Sequence, residues 1–460
     1  MKFKGLRRAV PSMEARFPTA GELASGQIPS GLSRLKREPY WWDTAPRPID
    51  ARATLPKRVD VAIVGSGYTG LSAALTLLRR GRGVAVFDSE MPGYGASTRN
   101  GGQVGSGNQK FRVKNLVEIR GEKKATEMLR EGVGMLNFIE ELIQTENIAC
   151  EFVRCGRFRG AVRSDHYENM ARDMEDLRRV AGVEFYMVPD REQYKEIDTD
   201  EFQGGCVLPG DASINPGLFH AGLLEKVRTC GGIILGNTRV RSISMDASEF
   251  SVTTVAGTVR AHDVIIATNG YTDAAVPYLR KRIVPVGSAM VATDNVDQKI
   301  LRRLMPSRRV YGNTRRVFSY FRIAPSEPRI LWGGRVGRLK VSSDDRLFSH
   351  LARDMLAVFP GLETVPITHG WQGSIGYTYD GIPHIGRAPE GVFFALGYCG
   401  TGVSRSTYFG HKVALKVLGD PEGRTSFDNL LFPSHVGHPV AKQLVPLIEL
   451  SYRFKDKMGI

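Results

Sequence analysis

The chain has 460 residues, of which 42% are hydrophobic and 24% charged. These values are ordinary for globular proteins and exclude a wholly disordered chain, and the length predicts two or three domains of about 150 residues each. Five scattered cysteines, with no Cys-x-x-Cys pair, predict neither a disulfide framework nor a zinc site, so no metal is expected. No apolar run approaches the ~18 residues of a membrane span, and the N-terminus lacks the apolar region of a secretory signal. We therefore expect a cytoplasmic location and no membrane span.

The net charge of +15 is unevenly distributed. Residues 1–58 hold twelve Lys or Arg against five Asp or Glu, and the remaining excess is spread over the rest of the chain. This distribution favours a solvated basic surface, or a basic funnel for an anionic substrate, over a nucleic-acid groove. Nucleic acid is therefore not the expected partner.

In chain order, residues 1–54 predict a basic arm with little periodicity, whose aromatic end at Tyr40-Trp41-Trp42 packs on the body. A buried strand at 59–64, a helix at 68–80 and a second strand at 84–87 follow. The later segments are assigned by their hydrophobic periodicity: helices at 113–147, 165–181 and 217–229; β-rich stretches at 150–163 and 184–210; strands at 232–235, 240–244, 250–255, 262–267 and 391–396; and long antiparallel strands over 280–340.

The turn between the first strand and the first helix fits the pattern G-x-G-x-x-G with Gly65, Ser66, Gly67, Tyr68, Thr69 and Gly70. The first glycine permits a tight turn, the second lets the backbone approach a pyrophosphate, and the third lets helix and strand pack closely. Asp88 ends the second strand, 18 residues beyond Gly70, where a carboxylate can bind ribose hydroxyls. This strand–turn–helix–strand–acid order predicts a dinucleotide site at the positive end of a helix dipole.

Small residues and polar side chains alternate shortly after Asp88. A segment of this composition can pack closely around the ribityl chain and the edge of a flavin. Its presence therefore favours FAD over NAD. The residues in question are Ser97, Thr98, Arg99, Asn100, Gly101, Gly102 and Gln103. No second G-x-G-x-x-G is present, so no pyridine-nucleotide domain is expected.

Taken together, several motifs resemble the D-amino-acid-oxidase-like (DAO) FAD oxidoreductases, and most of all the γ-glutamylputrescine oxidase branch. The resemblance covers about residues 38–435. The segments that carry it are Tyr40-Trp41-Trp42, the glycine motif, 97–103, Ala267-Thr268-Asn269-Gly270-Tyr271, Tyr320-Phe321-Arg322, 331–335, 376–386 and Gly397-Tyr398-Cys399-Gly400-Thr401-Gly402-Val403.

This resemblance implies an α/β fold. A Rossmann-type FAD-binding domain (glutathione-reductase-like, DAO subfamily) would stand beside a second α+β substrate domain built on an antiparallel sheet. The expected boundaries are 1–54 for the arm; 55–112, 205–280 and 365–435 for the FAD domain; 113–204 and 281–364 for the substrate domain; and 436–460 for a C-terminal tail. Further FAD contacts are implied at Val240, Thr268, Asn269, Gly270, Gly397, Gly400, Thr401, Gly402 and Val403.

Departures from the family pattern concern the flavin linkage and the substrate. Relatives that hold flavin covalently use Cys or His at positions where this chain has neither, in 371–374 and 100–103, so FAD is expected to be non-covalent. Thr401 stands where the γ-glutamylputrescine branch often has His, and Thr98 where it has Gly. The motifs are specific to the family and leave the substrate open.

The expected chemistry is oxidation of a primary or secondary amine of amino-acid, N-alkyl amino-acid or γ-glutamyl-polyamine type. Hydride transfer to flavin N5 gives an imine, which hydrolyses to a carbonyl compound and an amine. We expect Arg322 to bind a substrate carboxylate, because a planar guanidinium binds one bidentately, or else to form a surface salt bridge. Tyr320, Trp371, Tyr377 and Trp332 are candidates for an aromatic wall, with ordinary core packing as the alternative for each. His384 is expected to have a structural or flavin-edge role.

Two other functions stay open on the sequence alone: an FAD domain that acts on modified tRNA, and a flavin-binding protein without amine turnover. The electron acceptor is either oxygen or a quinone or other carrier.

Overall fold

The structure is a computed structural model that describes residues 35–47, 53–106, 108, 111–337, 345–435, 437–438, 451–452, 454–456 and 458. Its helices are α1 Trp41–Thr44, α2 Tyr68–Arg79, α3 Val113–Arg120, α4 Glu122–Thr145, α5 Ser164–Ala181, α6 Pro216–Thr229, α7 Pro277–Arg280, α8 Gln298–Leu304, α9 Asp345–Val358 and α10 Gly402–Val417. No helix in these ranges is long and apolar enough to cross a membrane.

Within the same described ranges, eighteen strands accompany the helices. They are β1 Arg58–Val64, β2 Val84–Phe87, β3 Gln103–Val104, β4 Arg157–Gly160, β5 Tyr186–Val188, β6 Gly205–Leu208, β7 Ala212–Ser213, β8 Ile233–Leu235, β9 Val240–Asp246, β10 Glu249–Thr254, β11 Gly257–Ile266, β12 Val284–Thr293, β13 Val310–Asn313, β14 Ser319–Ile323, β15 Ile330–Gly337, β16 Ile367–Tyr377, β17 His384–Arg387 and β18 Phe393–Leu396.

The first sheet has the predicted Rossmann-type architecture. Strand β1 pairs in parallel with β2 and β11, β2 with β8, and β11 with β18. Strands β9, β10 and β17 extend this sheet with antiparallel pairs. Residues 61–63 and the whole of β2 are buried, because helices cover a parallel sheet and leave no polar face. The carboxyl ends of β1 and β2 therefore meet at one edge, next to the start of α2.

The second sheet has the strand order β16-β12-β15-β14-β13-β4-β6-β5. All of its pairs are antiparallel except β13 with β4. One face packs on α9 around Phe321, Trp332 and Phe359, with the first two rings stacked at 4.3 Å. The opposite face points towards the first domain. This is the predicted second domain; helices α8 and α9 were not predicted.

The predicted domain boundaries differ from the sheet membership at two places. Strands β6 and β16 lie in segments assigned to the FAD domain, yet both pair within the second sheet. Helix α4, assigned with the substrate domain, shares a hydrophobic core with α2. The predicted helix over 113–147 is also interrupted at Gly121, whose φ of +77° is unfavourable for other residues.

The aromatic end of the predicted arm packs on the body, as expected. Trp41 is fully buried, and Lys36 exchanges backbone hydrogen bonds with 368 and 370 in β16. Residues 1–34 and 48–52 of the arm lie outside the described residues. In the predicted tail, the Asp456 carboxylate accepts hydrogen bonds from the backbone N–H groups of Arg316 and Val317, each 3.1 Å long.

Candidate active site

A cavity of about 570 Å³ runs from the carboxyl ends of β1 and β2 to the face of the second sheet that points towards the first domain. Asp88 and Val240 line one end, and Arg159 and Tyr320 line the other. The volume lies in the range of small-molecule and cofactor sites. The cavity therefore joins the predicted dinucleotide turn to the predicted substrate domain.

The glycine turn at the start of α2 has the geometry of an anion site. Gly65 has φ +107°, and a Cβ at Gly70 would overlap the carbonyl oxygen of Gly65. A Cβ at Gly67 would lie 2.8 Å from the Ser97 hydroxyl. The N-cap residue Gly67 has no side chain to cap α2, and the Tyr68 N–H donates to the Ser97 hydroxyl at 3.0 Å. The positive dipole end of α2 lies at the cavity.

Asp88 lies beside this turn, at the end of β2. One carboxylate oxygen accepts hydrogen bonds from the Ser66 N–H at 2.9 Å and the Ser66 hydroxyl at 2.5 Å, and the other accepts one from the Glu90 N–H at 3.1 Å. Burial raises the pKa of Asp88 above its ordinary value, partly offset by these hydrogen bonds. A carboxylate has about four acceptor positions, so capacity remains for the hydroxyls of a ribose.

Behind the turn lies a buried histidine that the sequence analysis missed. The Nε2–H group of His220 donates to the Ser66 carbonyl at 2.7 Å, while Arg47 lies 3.3 Å from Nδ1. Burial, reinforced by the Arg47 charge, lowers the pKa of His220 to about 3, so the ring is neutral. Arg47 also donates to the carbonyls of Ala45 and Pro92, which ties the N-terminal segment to the turn. A lone histidine inside a predicted helix gave no sequence signal for this contact.

Three indole rings hold the segment 97–103. The Nε1–H groups of Trp41 and Trp371 donate to the carbonyls of Asn100 and Arg99 at 2.8 and 2.9 Å. The Nε1–H of Trp42 donates to the Thr98 hydroxyl at 2.9 Å. Donors from the arm and from β16 thus fix the backbone of this segment from two sides.

The end of the same segment contacts the second sheet. A Cβ at Gly101 would lie 2.9 Å from the Tyr320 ring, which shows how closely the ring approaches. Gly102 has φ +66°, and its carbonyl accepts a hydrogen bond from Arg322 at 2.9 Å. Gln103 donates to two carbonyls of the second sheet and accepts from Arg157 at 2.5 Å.

A second helix start faces the cavity at α10. Residues 400–404 line the cavity, and α10 begins without a side-chain cap. The Asn269 side chain accepts a hydrogen bond from the Gly397 N–H at 2.9 Å, and the hydroxyls of Thr69 and Tyr398 lie 2.8 Å apart. Arg405 is fully buried in the first turn of α10 and donates to the Tyr398 carbonyl at 3.2 Å. Two helix N-termini and a buried cation make this part of the cavity electropositive.

The comparisons with known proteins decide the family. The family described as "FAD dependent oxidoreductase" (DAO) matches residues 60–415. The chain belongs to this family. It is 28% identical over 407 residues to the probable oxidoreductase OrdL of Haemophilus influenzae, and 28% identical over 413 residues to the gamma-glutamylputrescine oxidoreductase of Escherichia coli. Both alignments cover 87% of this chain and 93% of the relative.

The fold is that of DAO-family enzymes of known structure. The crystal structure of glycine oxidase from Geobacillus kaustophilus superposes with a TM-score of 0.69 at 23% identity, covering 83% of this chain and all of that one. The chain is therefore an FAD-dependent oxidoreductase with a Rossmann-type domain and a second domain.

The cavity fits FAD by its own geometry. The positive end of α2 and the glycines of the turn face the place for the pyrophosphate, and the half-buried Asp88 carboxylate, with open acceptor positions, lies at the place for the ribose. Of the predicted FAD residues, those that line the cavity are Gly65, Gly67, Tyr68, Thr69, Asp88, Ser97, Arg99, Asn100, Gly101, Gln103, Val240, Thr268, Asn269, Gly400, Thr401, Gly402 and Val403. The other six predicted FAD residues do not line the cavity but contact the segments that do: Ser66, Gly70, Thr98, Gly102, Gly270 and Gly397.

Of the five residues predicted for the substrate end, which are Arg322, Tyr320, Trp371, Tyr377 and Trp332, only Tyr320 lines the cavity. Its hydroxyl lies 3.0 Å from that of Ser288, and burial raises the pKa of Tyr320 to about 12. Trp371 is buried in a small aromatic core with Tyr40 and Trp41, and Tyr377, the last residue of β16, is not among the residues that line the cavity. Trp332 packs in the core of the second sheet.

Arg322 does not occupy the position predicted for it. The side chain is 4% exposed and donates to the carbonyls of Gly102, Ile214 and Ile323 at 2.9–3.1 Å. Burial lowers the pKa of its guanidinium to about 10. Arg322 connects the turn at Gly102 to the second sheet and does not line the cavity. The geometry therefore does not support a role for Arg322 in binding a substrate carboxylate.

His384 has a structural environment, one of the two roles predicted for it. Its ring stacks on Phe432 at 4.0 Å, and its Nε2 lies 3.2 Å from the Asp380 carboxylate. The residue is buried and does not line the cavity.

The far end of the cavity carries basic residues that the sequence analysis did not assign to the site, although it left a basic funnel for an anionic substrate open. They are Arg112, Arg157, Arg159, Arg315 and Arg316, with an apolar wall of Met170, Met174, Leu177, Val183 and Leu208 beside them. The alternation Arg157-Phe158-Arg159 in β4 is a signal that could have found two of them, since it places both arginines on one face of a strand.

Proposed function

We propose that this enzyme oxidises a primary or secondary amine of amino-acid, N-alkyl amino-acid or γ-glutamyl-polyamine type. The observation that carries the proposal is the single cavity that leads from the dinucleotide turn past Gly101 to Tyr320 and the basic end of the second sheet. The amine class is supported by the 28% identical relative named gamma-glutamylputrescine oxidoreductase and by the structural similarity to a glycine oxidase.

The bound flavin supplies a two-electron acceptor for the C–H bond next to the amine nitrogen. The enzyme's own residues orient the substrate and limit access of water. The Tyr320 ring lies against Gly101 and forms a wall at the point where the substrate meets the cofactor. Removal of a hydride and a proton from the amine gives an imine, and water then yields a carbonyl compound and a free amine.

Within the proposal FAD is held without a covalent bond. Cys399 does not line the cavity, and its thiol donates to the Gly397 carbonyl at 3.2 Å. Cys206 lines the basic end, where burial raises the pKa of its thiol to about 12 and disfavours the reactive thiolate. Precipitation of the denatured protein should therefore leave the flavin in the supernatant. A cytoplasmic location and transfer of electrons to oxygen or to a quinone or other carrier complete the proposal.

The test is an anaerobic screen of purified holoenzyme. Glycine, sarcosine, putrescine and γ-glutamylputrescine are each mixed with the protein, and bleaching of the flavin absorbance is followed. Reduction by at least one amine, with its carbonyl product detected after turnover, is the expected result. A flavin that no amine reduces, although dithionite bleaches it, would contradict amine oxidation and favour flavin binding without turnover.

A further inference from the structure

We propose that Arg159 binds an anionic group of the substrate that lies several bonds away from the oxidised carbon. The inference rests on the proposed amine oxidation and names the substrate class: amines with a distal carboxylate.

The first argument is the position of Arg159 in the second sheet. Paired residues form a row across four strands, in which Cys206 of β6 faces Arg159 of β4, Arg159 faces Gly312 of β13, and Gly312 faces Tyr320 of β14. All four residues line the cavity. Because neighbouring strands are 4.7–4.9 Å apart, the backbones of Arg159 and Tyr320 are separated by about 10 Å.

The second argument is that the floor between these two residues is open. Gly312 has no side chain, and a Cβ placed there would meet only the Ser319 carbonyl oxygen, at 3.5 Å. The Tyr320 ring leans the other way, over Gly333 and against Gly101. A substrate whose amine lies at Tyr320 can therefore extend along the sheet to Arg159, while the methionines of α5 offer its chain an apolar wall.

The third argument is charge. The neighbouring cations have acidic partners: Arg112 with Asp173 at 3.3 Å, and Arg157 with Asp211 at 2.6 Å. Arg315 likewise pairs with Glu201. Among the described residues, Arg159 has neither a side-chain hydrogen bond nor an ion pair. Arg112 and Arg157 repel the Arg159 charge and the nearby Asp173 carboxylate attracts it, but Asp173 forms its ion pair with Arg112. An anion placed beside Arg159 would supply the hydrogen-bonded partner that it lacks.

The chemistry of the site follows from these three observations. A guanidinium recognises a carboxylate through two parallel N–H···O bonds. An α-amino acid carries its carboxylate on the carbon next to the amine and cannot occupy both ends of the row at once. The preferred substrates are therefore ω-amino acids or longer amines that end in a carboxylate.

The experiment compares three compounds with the same five-carbon chain: 5-aminopentanoate, pentylamine and norvaline. Anaerobic flavin reduction gives a dissociation constant and a rate for each. Binding of glutarate, which is not an amine, is measured separately by its perturbation of the flavin spectrum and by calorimetry. The variants are Arg159→Gln, Arg159→Lys and the control Arg172→Gln, which removes an exposed cation of α5 outside the cavity. Flavin content and melting temperature establish that each variant is folded.

We expect the wild-type holoenzyme to bind 5-aminopentanoate more tightly than pentylamine or norvaline, and to bind glutarate. Arg159→Gln should weaken glutarate and 5-aminopentanoate by about 10- to 100-fold while leaving pentylamine unchanged, since a charge-assisted pair is lost. Arg159→Lys should retain part of the preference, and Arg172→Gln all of it. Equal binding of the three amines by the wild type, no glutarate binding, or an unchanged preference in Arg159→Gln would overturn the assignment. If no amine reduces the flavin, the proposed function fails, and the glutarate measurements still decide the role of Arg159.

Discussion

The substitution Trp371→Phe tests whether the indole rings hold the flavin segment in place. In the wild type the Trp371 Nε1–H donates to the Arg99 carbonyl at 2.9 Å from a site that is 2% exposed. Phenylalanine keeps most of the ring but leaves that carbonyl without its donor. An unpaired buried acceptor costs about 1–3 kcal/mol. If this cost falls on the ordered, flavin-binding state of segment 97–103, the dissociation constant for FAD should rise about 5- to 150-fold.

The matched control is Trp332→Phe. Trp332 is fully buried and stacks on Phe321, and its Nε1 has no hydrogen-bond partner among the described residues. Both substitutions shrink a buried indole, and only the one at Trp371 removes a hydrogen bond to the flavin segment. The assay is reconstitution of apoprotein with FAD, followed by flavin fluorescence, together with melting temperatures of the apo forms. If both variants lose thermal stability while the FAD dissociation constant stays unchanged in each, the indole does not order the segment.

Two further predictions concern the dinucleotide turn. Gly70→Ala should abolish flavin incorporation, because the new Cβ overlaps the Gly65 carbonyl. In the control Gly134→Ala, the new Cβ in α4 meets no atom within 4 Å, and the higher helix propensity of alanine should raise the melting temperature. The flavin absorbance per protein and thermal denaturation are measured for both variants. The pKa of His220 lies at about 3 in the folded chain, below its ordinary value of 6.5, so its contribution to stability is present above pH 6.5 and is lost as the pH falls towards 3. His220→Gln, which can still donate to the Ser66 carbonyl, should therefore flatten the acid side of the apoprotein's stability profile, measured by urea denaturation from pH 7 to 4; an unchanged slope would refute a buried neutral imidazole.

The FAD half of the site could be predicted because its signals are local in the chain. The glycines, the following helix and Asp88 occupy about 25 consecutive residues, and each has a conformational reason to be the residue it is. The positive φ of Gly65 and the contact between Gly70 and Gly65 are the geometry that the motif predicts. His220 and Arg47 escaped prediction because their contacts join segments 173 residues apart.

Arg322 shows where reasoning along a single strand stops. Tyr320 and Arg322 are two positions apart in β14 and therefore point to the same face, which is the face towards the cavity. Near Arg322 that face is covered by the turns at Gly102 and Ile214, whose carbonyls take up its N–H groups. The sequence indicated the correct face of the strand. It did not indicate which part of that face would be covered by turns from distant parts of the chain. The same limit hid Arg159, which becomes a neighbour of Tyr320 only through the pairing of β4 with β13.

The two domains place different demands on the sequence. The dinucleotide is held largely by backbone groups, such as helix starts and close-packed turns, and these tolerate only glycine or a few small residues at fixed spacing. The substrate end is built from side chains standing on a sheet, where almost any residue can occupy a position without disturbing the pleat. If Arg159 binds the distal carboxylate as proposed, changing Arg159 or closing the floor with a side chain at position 312 should redirect the amine that is accepted while leaving the glycine motif intact. For this reason the motifs in this chain identify an FAD-dependent oxidoreductase, whereas the proposed choice of amine depends on side chains of β4 and β14, which carry no such fixed pattern.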